Sequence, residues 1–426
     1  MTLTPSPPSP ALSSVEQNAI AYLLSAQAVR DRCHQLFDRC QAGQLEHFTC
    51  NLSQLDAGAA YVVETTQQFY PNFDVPFHSR WRHFDAGGRD RLTSLHQALG
   101  KNPGKNPVTS LLDLVIISVL LDAGAGPQWR YQDQSADSQS MGQVLTRSEG
   151  LAVAGLRAFE QGMFSSDSQW PYQVDAIALQ NLTASDLAAI FQVSDDNPLV
   201  GLSGRLTLLH QLGQTLAAHG DRFGTHPARP GNLLTYWQSR YGNTIDAGTL
   251  LTEVLESLGS IWPGRVAIAS TNLGDVWSYP ALPGNDLGGN LVPFHKLSQW
   301  LTYSLVEPLM AAGITVTDLN ALTGLAEYRN GGLCIDLGLL VPKHSGVTRG
   351  AHVPSSAVVV EWRALTVVML DLIGDRVCQR LHKTPDELPL IKVLEGGTWA
   401  AGRRIAKQLR SDGSPPITIQ SDGTVF

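Results

Sequence analysis

The chain has 426 residues, of which 43% are apolar and 16% charged, with a formal charge of -8 and a pI of about 5.8. This mildly acidic balance excludes general nucleic-acid binding, which needs a basic surface. The apolar content suffices for a large core in one domain, or in two that share an interface. Cys33, Cys40, Cys50, Cys334 and Cys378 form no CxxC pair and are odd in number. They fit neither a zinc knuckle nor a disulfide framework and read as reduced thiols of a cytoplasmic protein.

Residues 1–14, MTLTPSPPSPALSS, read as a disordered tail without the basic start and apolar run of a signal peptide. Residues 15–70 read as helical and end at Tyr70-Pro71-Asn72-Phe73. An aromatic and basic loop follows, from Pro76 to Phe84. After a GKNPGKNP linker, TSLLDLVIISVLLDA (109–123) is apolar all round, the pattern of a helix buried on every side, and Gly124 and Gly126 stop it. The periodicity predicts further helices over 147–162, 185–192, 199–218, 244–258, 293–312, 317–328 and 356–381. It predicts a strand over 333–341 and a strand pair around Asp422-Gly423. No uninterrupted apolar stretch reaches the roughly 18 residues of a membrane span. The expectation is a mainly α fold with small β additions near the C-terminus. Residues 15–426 would form one large unit, with two lobes (15–235 and 236–426) and a site between them as one possible arrangement.

Several motifs are absent. Gly124-Ala125-Gly126 ends a helix instead of opening one, and neither GxxxxGK[ST] nor HExxH occurs. His78 and His83 lack carboxylate or cysteine companions at ligand spacing, so no metal site is expected. Glu395-Gly396-Gly397-Thr398 faintly resembles a phosphoribosyl-diphosphate loop, but it lacks the paired acids and the preceding strand and is set aside.

The polar groups that interrupt apolar surroundings are the candidates for chemistry. On the 293–312 helix, Lys296, Gln299, Tyr303 and Glu307 form one stripe. A solvated face is one reading. A ligand-facing stripe is the other, because Trp300 and Tyr303 share that side and a first-turn lysine opposes the helix dipole unless an anion is bound there. Glu361 and Arg363 interrupt the 356–381 helix, as a structural ion pair or as a polar end facing a pocket. Glu327, Tyr328, Arg329 and Asn330 stand together before Gly331-Gly332. Asp122, at the unfavourable end of a buried helix, needs a cation from Arg80, Arg82, Arg130 or Arg147. Those arginines, with His78 and Glu149, lie near Trp81, Phe84, Trp129 and Tyr131 and suit an anion- or base-binding pocket.

The segments PFHSRWRHFDAGGRDR, LLDAGAGPQWRY, RSEGLAVA, DNPLVGLSGR, PFHKLSQWLTYSLVEPL, GLAEYRNGG, VVEWRALTV and VLEGGTWAAGR resemble the signatures of a uracil-catabolism family of bacteria and fungi, formerly a domain of unknown function. A more distant similarity is to the queuosine salvage glycosidases. Lys296-Leu297-Ser298-Gln299, Leu322–Arg329 and Glu361–Val367 follow the order of that family's KRAQ, LT-x-F-ADYRVPQ and EIRAATV segments. That second resemblance implies a helical core like that of helix-hairpin-helix glycosylases and hydrolysis of an N-ribosidic bond. It places Lys296 near the phosphate or ribose, Glu327 at the catalytic acid position and Glu361 in support. Glu327 replaces an aspartate, and Asn330-Gly331-Gly332 replaces VPQ. Together the resemblances imply cleavage of ribosylurea or its 5'-phosphate, with Glu327, Tyr328 and Glu361 catalytic. Lys296, Gln299, Arg329, Asn330, Arg363, His78, Arg80, Arg82, Asp122, Arg130, Arg147 and Glu149 would bind a ribosyl or phosphoribosyl substrate, with no cofactor, metal, nucleic acid or membrane. The alternatives are a uracil phosphoribosyltransferase-like enzyme of the same route and a non-enzymatic nucleotide-binding or regulatory protein.

Overall fold

The computed structural model describes residues 12–134, 142–284 and 286–420. Helices dominate, as expected. Among the described residues every sheet is a two-stranded pair. Among the described residues no helix is long and apolar enough to cross a membrane.

The helix starts follow local chemistry. Ser13 caps α1 (Ser14–Leu23) through a capping box with Glu16. Ser25 caps α2 (Ala26–Gln41), and α3 (Leu55–Phe69) follows a short strand, β1 (Phe48–Cys50). The 15–70 region is therefore three helices with a strand between, not one helical run. Asn106 caps α4 (Pro107–Leu120), with Pro107 at the position that tolerates a missing N–H, and residues 109–120 are all buried. Helix α5 (Arg147–Glu160) begins at a left-handed residue, Arg147, with φ of 56°. Later come α6 (Leu202–Ala218), α7 (Lys296–Ala311), α8 (Tyr328–Asp336), α9 (Ala357–Leu381) and α10 (Trp399–Leu409).

Two predicted elements change identity. The helix predicted over 317–328 is instead the end of β3 (Thr315–Thr317), a 3-10 turn and an extended segment. Strand β3 pairs in parallel with β2 (Thr244–Asp246), a contact made across distant sequence that overrides the local pattern. The strand predicted over 333–341 begins as the end of α8 and then passes through a turn over 337–339. Only Leu340–Pro342 is extended, as β4, paired antiparallel with β1. A short apolar run fits a buried helix end as well as a strand. The expected pair around Asp422-Gly423 lies outside the described residues, although Thr418–Ile419 pairs in parallel with Ala351–His352.

Two hydrophobic cores form. One gathers Val115, Trp129, Leu151, Leu209, Trp237, Trp300 and Tyr303, and the other Val29, Phe48, Val62, Phe294, Trp362, Leu365 and Ile405. The second joins α2 and α3 to α8, α9 and α10, so the two ends of the chain pack together. Helix α10 approaches α8 closely: a Cβ at Gly402 would lie 2.6 Å from the Arg329 carbonyl oxygen.

Candidate active site

Glu327 is the N-cap of α8. Its Oε2 accepts the Arg329 N–H at 2.6 Å and its Oε1 the Asn330 N–H at 2.5 Å. Both carboxylate oxygens are thus fixed by backbone amides at the positive end of a helix. Burial pushes the Glu327 carboxyl up, while those amides and Lys296 pull it back. Burial likewise pushes the Lys296 ammonium down, opposed by Glu327 and Asp122.

Lys296 opens α7 without a side-chain cap, after His295 in the left-handed region at φ of 48°. The Asp275 carboxylate takes the role of the cap and accepts the Lys296 N–H at 3.0 Å. Asp275 is bound by Arg363 at 2.8 and 2.7 Å, and Arg363 Nε donates to the Ala326 carbonyl at 3.2 Å. Burial would raise the Asp275 carboxyl, but the Arg363 guanidinium overrides it and holds the group far below the usual carboxylate range.

A second polar group is built on residues 78–84, which include a short helical turn, Trp81–Phe84, where the sequence read as a loop. Pro308 lacks the N–H that would bind the Ser304 carbonyl within α7, and that carbonyl instead accepts Trp81 Nε1 at 2.9 Å. Ser304 Oγ accepts the Arg80 N–H at 2.9 Å, so α7 carries the 79–84 segment. Arg80, fully buried, pairs with Asp122 at 2.9 Å and donates to Ser118 Oγ, also at 2.9 Å. Asp122 also accepts Ser148 Oγ at 2.7 Å. Arg80 Nη1 lies 3.1 Å from His83 Nδ1, and a guanidinium can only donate, so Nδ1 accepts. Burial and the Arg80 charge push His83 down to about 4, so its ring is neutral at pH 7.

Aromatic rings join these groups. The His78 ring centroid lies 4.6 Å from Trp300 and 6.2 Å from Trp399, and that of His83 5.7 and 5.8 Å from the same indoles. His78 Nδ1 is 2.6 Å from Glu395 Oε2. Glu149 accepts Arg403 Nη1 at 2.6 Å, and Arg403 stacks 4.7 Å over Trp399. Glu395 and Trp399 sit in and just after a π-helical turn, Leu394–Thr398. Such turns recur at functional sites.

The structure brings together Lys296, Glu327, Tyr328, Asp122, Arg80, His78, Glu149 and Arg147, the last through its effect on the Tyr328 phenol. Arg363 acts through Asp275 and Ala326. Gln299 is spent internally: its amide donates to Thr323 Oγ1 and accepts the Thr323 N–H, both at 2.9 Å. Arg329 donates to the Gly413 carbonyl at 3.3 Å and Asn330 to that of Leu325 at 3.2 Å. Arg82 pairs with Glu307 at 2.5 Å, and exposed Arg130 binds the Pro127 and Trp129 carbonyls. Glu361 faces the other side of α9 from Arg363, since residues two apart on a helix diverge. It accepts Tyr279 Oη at 2.8 Å and the His47 N–H at 3.0 Å.

Sequence reasoning missed Asp275, Trp399 and Arg403, and it considered His83 and Glu395 only to set them aside. The 399 and 403 spacing was the available signal, four residues apart on one α-helical face. No cluster of three or more His, Cys, Asp or Glu side chains spaced for a metal occurs among the described residues. A surface cleft of about 550 Å³ lined by Arg30, Arg240, Asp246 and Glu253 lies apart from these groups.

The chain is thus a mainly helical protein with a buried polar and aromatic cluster assembled from distant segments. It belongs to the family described as Protein of unknown function (DUF1688), which it matches over residues 22–426. It is similar to "Protein urg3" of Schizosaccharomyces pombe, with 40% identity over 96% of this chain and 99% of that one. It is also similar to "Uracil catabolism protein 4" of Lachancea kluyveri, with 36% identity over 96% of this chain and 99% of that one.

Proposed function

We propose that the protein acts in uracil catabolism as an N-ribosyl hydrolase that releases urea from ribosylurea or its 5'-phosphate. The name of the Lachancea kluyveri relative supports the route. The observation that carries the reaction is the fixed carboxylate of Glu327, held by two helix amides in the field of Lys296. Cleavage of a C1'–N bond develops positive charge on the sugar, and a preorganised carboxylate stabilises it without reorganising. The two amides leave Glu327 little freedom to rotate, so its charge is positioned before the substrate arrives. Lys296 suits an anchor for a 5'-phosphate or a ribose oxygen.

The test is incubation of the purified protein with ribosylurea and with its 5'-phosphate, measuring urea. Release above the uncatalysed rate from either compound is expected. No release from both overturns the reading.

A further inference from the structure

The proposed reaction needs a proton at the leaving nitrogen, because an amide-like nitrogen leaves poorly as an anion. Four groups around the cluster compete for that role. Glu149 faces Arg403 at 2.6 Å, and although burial raises its carboxyl, the Arg403 guanidinium more than offsets this and holds it below the usual carboxylate range. His83 is neutral, with Nδ1 turned to a guanidinium. Glu327 has both oxygens on backbone amides. His78 remains. Its Nδ1 meets the Glu395 carboxylate at 2.6 Å, which fixes the ring, and Nε2 is the atom left to give a proton.

The surroundings fit a planar leaving group. Trp300, 5% exposed, and Trp399 flank His78, and the buried Trp300 Nε1–H has no hydrogen-bond partner. A ureido carbonyl would supply one. Trp300 stands one turn after Lys296 on α7, so one helix would reach both the sugar end and the leaving-group end of a substrate.

We infer that His78 is the acid that protonates the departing ureido nitrogen beside Trp300 and Trp399, with Glu395 as its positioning residue. This rests on the N-ribosyl hydrolase reading. The C1'–N bond breaks with its electron pair going to nitrogen, and nitrogen takes the proton from His78 Nε2. Water adds its oxygen to C1', and the proton it loses restores His78.

The test compares two substrates, ribosylurea and 4-nitrophenyl β-D-ribofuranoside, whose leaving group departs without protonation. With His78→Gln, turnover of ribosylurea should fall by about 100-fold or more, while the aryl riboside stays within about threefold of wild type. Glu395→Gln should shift the pH profile for ribosylurea and spare the aryl riboside, and it serves alone if His78→Gln does not fold. Equal losses on both substrates, or no loss on either, overturn the role of His78. If the wild type cleaves neither substrate, the hydrolase reading fails and this inference with it. If Glu327→Gln cleaves both substrates normally while His78→Gln behaves as stated, only the Glu327 assignment fails.

Discussion

Asp275 and Arg363 meet through two hydrogen bonds of 2.8 and 2.7 Å, and this single pair holds the backbone at both Lys296 and Ala326, the residue before Glu327. Arg363→Met removes the cation and leaves a largely buried carboxylate without its partner. The expected loss of stability is about 3–5 kcal/mol, read from denaturant unfolding at pH 7. The pH dependence has a definite sign. The folded-state pKa of Asp275 is depressed, so its stabilisation is fully present above the ordinary carboxylate range and lost as pH falls below it. The gap between wild type and Arg363→Met should therefore narrow as pH is lowered toward 3. A gap that stays constant with pH would remove the ion pair from the explanation.

Glu327→Gln keeps one acceptor for the α8 amides but removes the charge. We expect kcat for urea release to fall by a factor on the order of 100–1000 with KM nearly unchanged, since the sugar cation exists only in the transition state. The loss of one cap bond should cost no more than about 1 kcal/mol of stability. Burial raises the Glu327 carboxyl, so the acid limb of wild-type kcat/KM should lie above the pH of an ordinary glutamate. Single-turnover assays across pH 4–8 read both effects.

Lys296→Ala should separate the two candidate substrates. The expected result is a KM raised by about 10-fold or more for the 5'-phosphate, with little change for ribosylurea, as for one lost charge-assisted bond. Removing the ammonium also removes a group that lowers the Glu327 pKa, so the acid limb should move to higher pH. Unchanged KM values for both substrates would assign Lys296 to tuning Glu327 and not to phosphate.

Glu361 should matter for folding and not for turnover. It is fully buried and binds Tyr279 Oη and the amides of Glu46 and His47. Glu361→Ala leaves those donors unpaired, at roughly 1–3 kcal/mol each. A marked fall in unfolding midpoint with a kcat close to wild type is the expected outcome. A large fall in kcat for a fully folded variant would return Glu361 to the chemistry.

Much of the helical frame was legible. The runs around 109–123 and 356–381 are apolar on every side and long enough that no competing structure fits, and both are helices within three residues of the expected bounds. The failures lie where long-range pairing decides: β3 on β2, and β4 on β1. At the site, Glu327 came from the resemblance of its AEYR turn to the ADYR turn of the glycosidases, since the spacing before Gly331-Gly332 is by itself a weak signal. Asp275 was not legible, since its meaning comes from Arg363, 88 residues away. Gln299 misled for the opposite reason: its polar stripe is real, but Thr323 rather than a ligand satisfies it.

The π-helical turn at Leu394–Thr398 takes up one residue without changing the direction of the helix surface that follows it. A π turn holds one residue more than the α-helical turn it replaces, so deletion of one residue there would leave Trp399 facing the imidazoles and Arg403 facing Glu149. The same turn lays Gly396 and Gly397 against α3, where a Cβ would come within 2.9 Å of Thr66 and 2.5 Å of Val62. Residue identity at the two glycines is thus under tighter constraint than length, and a single added methyl would push the turn off α3 where a lost residue would not.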